Sequence, residues 1–399
     1  MAELNETPRG NRIHIAFFGL RNAGKSTLVN AFTGQQIAIV SDVPGTTTDP
    51  VSKAMEILPL GPCLVTDTAG LDDEGELGEM RVRKTLDVLE KTDIAVWVWG
   101  GGGEENTDFT DSTDYHELFL SECRKCGVVV LEHLRDEAVD ELKRKIAAVK
   151  LEERAPGLLD GLVKKGDHVV CVCPIDESAP KGRLILPQVQ VIRECLDRHV
   201  TVTVCQPEDL RLETEDAGRK PDLVITDSQA FGEVSECVKR RNQAIEQSNN
   251  PNNRTICLTS FSVLFARQKG ELPEFVKGLK AIGALEDGDT VLVAEGCTHH
   301  RQCNDIGTVK IPKALEKLSG RKLKFEFASG GAFDVPAPVA EDRDGTVKLI
   351  VHCGGCMLTR REMLRRIAIA KEAGVPIVNY GLVLAMANGI DIQSLIPNP

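Results

Sequence analysis

The sequence predicts an α/β protein, with an N-terminal P-loop nucleotide-binding domain followed by two smaller parallel-sheet α/β domains. Three observations predict it. The apolar run Ile13-His14-Ile15-Ala16-Phe17-Phe18 leads directly into Gly19-Leu20-Arg21-Asn22-Ala23-Gly24-Lys25-Ser26, a G-x-x-x-x-G-K-S phosphate loop with a helical stretch behind it. From Gly166 onward strand-like and helix-like runs alternate, the pattern of βαβ units. Near the C-terminus stand two short cysteine and histidine runs, each just past a strand-like stretch. These divide the chain into 1–155, 156–262 and 263–399.

Composition limits the function classes. At 399 residues the chain is long enough for two or three domains. Lys+Arg number 48 against 60 Asp+Glu, a net charge of −12, which argues against nucleic acid as the main partner because phosphate contacts need a basic field. No apolar run reaches the ~18 residues of a membrane span, and Met1-Ala2-Glu3-Leu4-Asn5-Glu6 lacks a charged leader with an apolar stretch. A cytoplasmic protein without membrane contact is expected. Thirteen cysteines, an odd number, argue for reduced thiols rather than a disulfide framework. Cys63, Cys171, Cys173, Cys205 and Cys257 lie in strand-like runs and read as core filler.

In residues 1–155 the phosphate loop assigns roles residue by residue. Gly19 and Gly24 free the backbone, Ala23 and Thr27 flank the cradle, Lys25 reaches the β/γ-phosphates, and the Ser26 hydroxyl can ligate Mg²⁺. A second strand-like run, Cys63-Leu64-Val65-Thr66-Asp67, ends in Asp67-Thr68-Ala69-Gly70, placing a carboxylate for the Mg²⁺ water shell and a glycine amide for the γ-phosphate. Between them Val43-Pro44-Gly45-Thr46-Thr47-Thr48-Asp49 supplies hydroxyls. Thr47 is the expected switch ligand to Mg²⁺ and, with Lys25 and Asp67, one of the expected catalytic residues. The three elements in this order mark a GTPase and resemble the Era and MnmE/TrmE class. In that class an Asn at the place of Asn22 helps to bind K⁺, so the resemblance implies K⁺ stimulation here.

Two departures accompany these motifs. Leu71 follows Gly70 where Ras-like enzymes carry a water-orienting Gln, which implies slow hydrolysis. Asp72-Asp73-Glu74 is a candidate replacement, with a solvated switch loop as the blander reading. After Cys126-Gly127-Val128-Val129-Val130-Leu131 an Asn-Lys-x-Asp base reader is expected, but the chain has Glu132-His133-Leu134-Arg135-Asp136 and then a helix-like stretch. The base-reading segment is therefore missing, which puts guanine selectivity in question while leaving phosphate binding intact. Cys123 and Cys126 read as structural.

In 156–262 the alternating runs carry no phosphate fingerprint, and interaction is the default role. Pro174-Ile175-Asp176 and Thr226-Asp227-Ser228 follow strand ends, as N-caps and turns do.

In 263–399 the strand Thr290-Val291-Leu292-Val293-Ala294 precedes Cys297-Thr298-His299-His300, and Lys348-Leu349-Ile350-Val351 precedes His352-Cys353-Gly354-Gly355-Cys356. If both strands belong to one parallel sheet, both runs emerge at its carboxyl edge, where open α/β sheets bind ligands. The helix expected over 360–373 would then aim its first amides at the thiolates. A structural zinc site takes four closed ligands. Three thiolates, Cys297, Cys353 and Cys356, with His299, His352, Glu295, Asp305 or water for a fourth position, suit a [4Fe-4S] cluster with one exchangeable iron.

This C-x-H and H-C-x-x-C constellation behind an Era-like domain resembles the HydF family of [FeFe]-hydrogenase maturation GTPases. So do Leu4 to Gly10, Ala179 to Pro187, Thr259 to Ser262 and Cys353 to Met357; Cys303 and the Gly100–Gly103 run fall outside the likeness. The resemblance implies a scaffold and carrier that binds GTP, Mg²⁺ and a [4Fe-4S] cluster. It implies acceptance of a diiron precursor from radical-SAM maturases, transfer to apo-[FeFe]-hydrogenase, and a homodimer or larger assembly through the middle domain. The alternative reading is an Era/TrmE-like regulatory GTPase with a structural zinc site.

Overall fold

The computed structural model describes residues 7–35, 50–72, 76–100, 109–134, 136–151, 156–175, 182–211, 220–247, 254–296, 305–330, 333 and 346–395. The chain forms two compact units, Met1–Arg154 and Ala155–Pro399.

In the first unit, strand β1 (Ile13–Phe18), helix α1 (Lys25–Thr33), β2 (Val51–Ile57), β3 (Gly61–Asp67), α2 (Glu76–Leu89), β4 (Ile94–Val98), α3 (Phe109–Cys126), β5 (Val129–His133) and α4 (Val139–Ala147) follow one another. The sheet order is β2-β3-β1-β4-β5, parallel except for β2, which runs antiparallel to β3. β1 and β4 are buried on both faces, which is why they read as unbroken apolar runs rather than alternating ones. One face packs Ile15, Phe17 and Val96 against Phe32 of α1 and Leu142 and Ile146 of α4. The other packs Phe18 and Trp97 against Phe119 and Cys123 of α3, so Cys123 is core, as expected.

The second unit holds two parallel four-stranded sheets. The first, ordered β7-β6-β8-β9, comprises β6 (His168–Val172), β7 (Thr201–Cys205), β8 (Leu223–Thr226) and β9 (Cys257–Ser260), with α5 (Leu186–Asp197) and α6 (Phe231–Gln247) in the crossovers. Cys171, Cys173 and Cys195 fill its core, but Cys257 is exposed, correcting its reading as core filler. It occupies the first position of β9, an outward-facing place between the buried Ile256 and Leu258. Asp227 begins a short 3-10 turn and accepts from Gln188 at 2.8 Å, a local structural role as expected.

The second sheet is ordered β11-β10-β12-β13, from β10 (Thr290–Glu295), β11 (Lys324–Ser329), β12 (Val347–His352) and β13 (Ile377–Asn379). Helices α8 (Leu272–Ala281), α9 (Ile311–Ser319), α10 (Arg360–Glu372) and α11 (Tyr380–Ala387) accompany it, and α12 (Ile392–Leu395) packs back on β9 of the first sheet. Gly278 of α8 lies against the sheet so closely that a Cβ there would stand 2.0 Å from the Ile377 carbonyl oxygen.

Between the sheets runs α7 (Phe261–Lys269). Its N-cap Ser260 accepts from the Val263 amide at 3.2 Å. Phe261, Leu264 and Phe265 join the core on one face of the first sheet, while Val263 and Ala266 join a larger core that spans that sheet's other face and the second sheet. Among the described residues no helix is long and apolar enough to cross a membrane.

Candidate functional site

The phosphate loop is built as its residue types dictate. Gly19, at φ +150°, crosses the end of β4 so tightly that a Cβ would stand 2.6 Å from the Val98 carbonyl oxygen. Gly24 is left-handed at φ +89° and caps α1, and Asn22 is left-handed at φ +60°. Lys25 is 7% exposed and folds over the loop, its Nζ donating to the Gly19 carbonyl at 3.1 Å and the Leu20 carbonyl at 2.6 Å. Ser26 Oγ donates to Asp67 Oδ2 at 2.6 Å. Asp67 is fully buried at the end of β3, and its Oδ1 has no hydrogen-bond partner among the described residues. Burial pushes its carboxyl up, opposed by the Ser26 hydroxyl and the Lys25 ammonium. A buried carboxylate with one orphaned oxygen beside a hydroxyl fits a hard divalent cation.

Gly70 packs against the loop, where a Cβ would stand 2.8 Å from the Arg21 nitrogen, and the Leu71 amide donates to the Gly19 carbonyl at 3.4 Å. Asp72 accepts from the Arg21 amide, which ties the half-buried first residue of the acidic run to the phosphate loop; Asp73 and Glu74 lie outside the described residues. Ala23 is half-buried and Thr27 exposed. Thr47 lies outside the described residues.

On the base-reading side, β5 ends at His133 and α4 begins six residues on, at Val139, returning straight onto α1, where Lys143 lies over the Phe32 ring. Glu132 and His133 occupy the place of the missing Asn-Lys pair and are engaged elsewhere. Trp99 Nε1 donates to Glu132 at 3.1 Å, and His133 faces Glu137, itself paired with Lys145 at 2.7 Å.

In the second unit, β10 pairs in parallel with β12, Ala294 opposite His352, so the two strands end at one carboxyl edge, as expected. Cys353 is anchored there, its amide donating to the Ala294 carbonyl at 2.9 Å. Its Sγ accepts from the amides of Gly296 at 3.2 Å and Gly355 at 3.4 Å. The donors to sulfur are therefore loop amides and not the N-terminus of α10, which Thr359 caps by accepting from the Glu362 amide. The Gly355 position favours glycine: it is left-handed at φ +65°, and a Cβ would meet Met363 Cε at 2.4 Å, so the methionine end would have to shift. Gly354 lies against Ser262 of α7. Burial pushes the Cys356 thiol up, while the Lys269 ammonium pulls it down.

His352 is not oriented as a metal ligand. Its ring is fully buried, Nδ1 donates to the Cys353 carbonyl at 2.8 Å, and Nε2 accepts from Arg366 Nη1 at 3.0 Å. Burial and the Arg366 charge press its pKa to about 3, so the ring stays neutral with both nitrogens occupied. Asp305 likewise acts as a cap, accepting from Thr308 at 2.8 Å. Glu295 is buried at the end of β10. Cys297, His299 and His300 lie outside the described residues, and among the described residues no three metal-ligating side chains converge. Thiols with amide donors to sulfur and adjoining buried cations nonetheless fit an anionic iron-sulfur centre.

Sequence reasoning missed Lys269 and Arg366. Lys269, 2% exposed at the end of α7, donates Nζ to the carbonyls of Cys356 at 3.0 Å and Leu358. Arg366, 1% exposed on α10, donates to His352 and to the Gly330 carbonyl and stacks over Phe333 at 5.0 Å.

Comparison with known families matches the Hydrogen maturase F dimerization domain to residues 158–270 and the Hydrogen maturase F tetramerization domain to 273–397, together more than half of the chain. The chain belongs to the hydrogen maturase F family. Ahead of those two domains, residues 14–147 match the 50S ribosome-binding GTPase family, so this hydrogen maturase F chain joins a GTPase domain to the family's two assembly domains. GTPase Der of Xylella fastidiosa (strain M23) is 37% identical over 153 residues, 36% of this chain and 32% of its own length. The tRNA modification GTPase MnmE of Phenylobacterium zucineum is 40% identical over 120 residues, 29% of this chain and 27% of its own. The matched part thus spans about a third of the length of these curated relatives. A solved structure of an Aquifex aeolicus Era variant bound to GDP.AlF4- aligns with 79% of this chain and 93% of its own at 14% identity, with a TM-score of 0.25.

Proposed function

We propose that this chain is a GTP-dependent scaffold and carrier for [FeFe]-hydrogenase maturation. In this reading Cys297, Cys353 and Cys356 hold a [4Fe-4S] cluster, with His299 or solvent at the remaining iron, and residues 263–399 are the cluster-binding part. The cargo is a diiron precursor, received from radical-SAM maturases and delivered to apo-[FeFe]-hydrogenase. The observation that carries the reading is the β10–β12 pairing, which brings the first run's doorstep, Gly296, to within 3.2 Å of the Cys353 sulfur. The cluster supplies an anionic anchoring centre with one exchangeable position. The chain's own residues do the rest: loop amides hold sulfur, and His352 fixes the Cys353 carbonyl.

In the GTPase domain, Gly19, Asn22, Ala23, Gly24, Lys25, Ser26 and Thr27 would cradle the phosphates. Ser26, Thr47 and Asp67 would hold Mg²⁺ and its waters, and Gly70 would meet the γ-phosphate. Asn22 would contribute to a K⁺ site. With Leu71 next to Gly70, hydrolysis is slow, and nucleotide state biases docking and release of partners rather than acting on the cluster. The middle part, 156–262, pairs two copies. Its edge strand β7 leaves Val204 44% exposed, which suits such pairing.

Anaerobic iron-sulfur reconstitution tests the reading. About four irons and four sulfides per chain with a reduced-cubane EPR signal supports it; one zinc per chain without that signal leaves a regulatory GTPase with a structural knuckle.

A further inference from the structure

Two side chains at the thiol edge are costly to bury, and the proposed carrier function has not yet used them. A cation removed from water costs several kcal/mol unless an anion meets it. Lys269 is 2% exposed, and among the described residues no carboxylate lies within ion-pair distance; its hydrogen bonds go to the carbonyls of Cys356 and Leu358, with the Phe265 ring 5.5 Å away. Arg366 is 1% exposed, and its nearest carboxylate among the described residues, Glu362, stands at a marginal 3.5 Å. Its guanidinium is otherwise spent on neutral groups, the His352 ring and the Gly330 carbonyl. The two approach the same loop from different elements, α7 and α10. Lys269 faces the Cys356 and Cys353 thiols and the Glu362 carboxylate, and Arg366 faces Glu362 and the Cys353 thiol, so Cys353 is the thiol the two cations share.

We propose that Lys269 and Arg366 are the buried counter-charges of an anionic centre on Cys353 and Cys356, and that they set how readily that centre accepts an electron. The inference rests on the cluster reading above. Each electron, supplied by a low-potential one-electron donor such as dithionite, adds one negative charge to the centre while the thiolates stay bound and no proton moves. Fixed positive charge beside it favours the reduced form, and in dry surroundings screening is weak. Lys269 and Arg366 act as positioning and charge-compensating residues, not as ligands.

The test compares wild type, Lys269→Met, Lys269→Arg and Arg366→Gln, each reconstituted anaerobically, with iron counted per chain and reduction followed by EPR in a mediated potential titration. Circular dichroism confirms that each variant is folded. Lys269→Met and Arg366→Gln should load iron but lose about tenfold in the reduced-to-oxidised ratio at a fixed potential, a downward shift of about 59 mV for one electron. Lys269→Arg should stay within about threefold of wild type, since it keeps the charge. If Lys269→Met loads no iron, Arg366→Gln decides alone. Iron-loaded variants that all reduce at the wild-type potential would overturn the inference and leave the cluster reading standing. A wild-type chain that takes up no iron would overturn both.

Discussion

The two ligand edges of this chain are built alike and filled differently. Each lies at the carboxyl end of a parallel sheet, and each depends on a left-handed glycine, Gly24 in one and Gly355 in the other. At the phosphate loop the buried cation, Lys25, comes from the same eight-residue motif as the carbonyls it touches. At the thiol edge Lys269 comes from α7, Arg366 from α10 and the Cys353 amide donors from two separate loops. A contiguous site is specified by one run of residues, whereas a dispersed one is specified by packing.

Breaking each edge in turn sharpens the contrast, beginning with the largest effect. Cys353→Ser should abolish the cubane EPR signal and most of the iron taken up on reconstitution, while GDP binding in calorimetry stays at its wild-type value. Retained iron would show that the dispersed edge is not the metal site. Lys25→Ala should weaken GDP binding by about 2–5 kcal/mol, roughly thirty- to several-thousand-fold, because a buried charge-assisted contact is lost. Iron loading should be unchanged, and a parallel loss of iron would contradict the independence of the two edges.

Gly355→Ala is a subtler perturbation, since the left-handed backbone and the Met363 contact together cost about 1–2 kcal/mol. It should lower the urea midpoint of the second unit's transition without moving the first's. Smallest is a pH effect on the first unit's own transition. Burial holds His116 and His133 below their ordinary 6.5, against the opposing pull of Glu132 on the one and Glu137 on the other, with Lys145 adding to the depression of His133. The unfolded chain therefore binds more protons just below pH 6.5, and stability falls as pH drops through that region. His116→Gln/His133→Gln should flatten that slope in denaturant melts between about pH 5 and 6.5, and an unchanged slope would refute the assignment.

Legibility in the sequence followed the same divide. The phosphate loop, the Asp67 turn and the strands that deliver both thiol runs could be read because each is local. Lys269 and Arg366 could not, because nothing local distinguishes a buried cation from a solvated one. A trace of Arg366 was present: Met363, Ile367 and Ala370 form the buried stripe of α10, and Arg366 sits on it among arginines 360, 361 and 365 that do not share its full burial. His352 stood among the candidates for a fourth position because sequence shows a histidine beside a cysteine but not where the ring's two nitrogens go. Helix α11 left no periodic signal, since Tyr380, Leu382, Val383 and Leu384 are buried all round it.

Helix α7 has a consequence beyond packing. Its nine residues start just after Ser260, the last residue of β9, touch the thiol loop through Ser262, and end at Lys269 beneath Cys356. One rigid rod of about 13 Å thus packs on the sheet matched to dimerization and touches the loop that bears the thiols. If that rod couples subunit association to loading of the thiol edge, reciprocity follows: whatever factor assembly contributes to loading, loading would return to assembly.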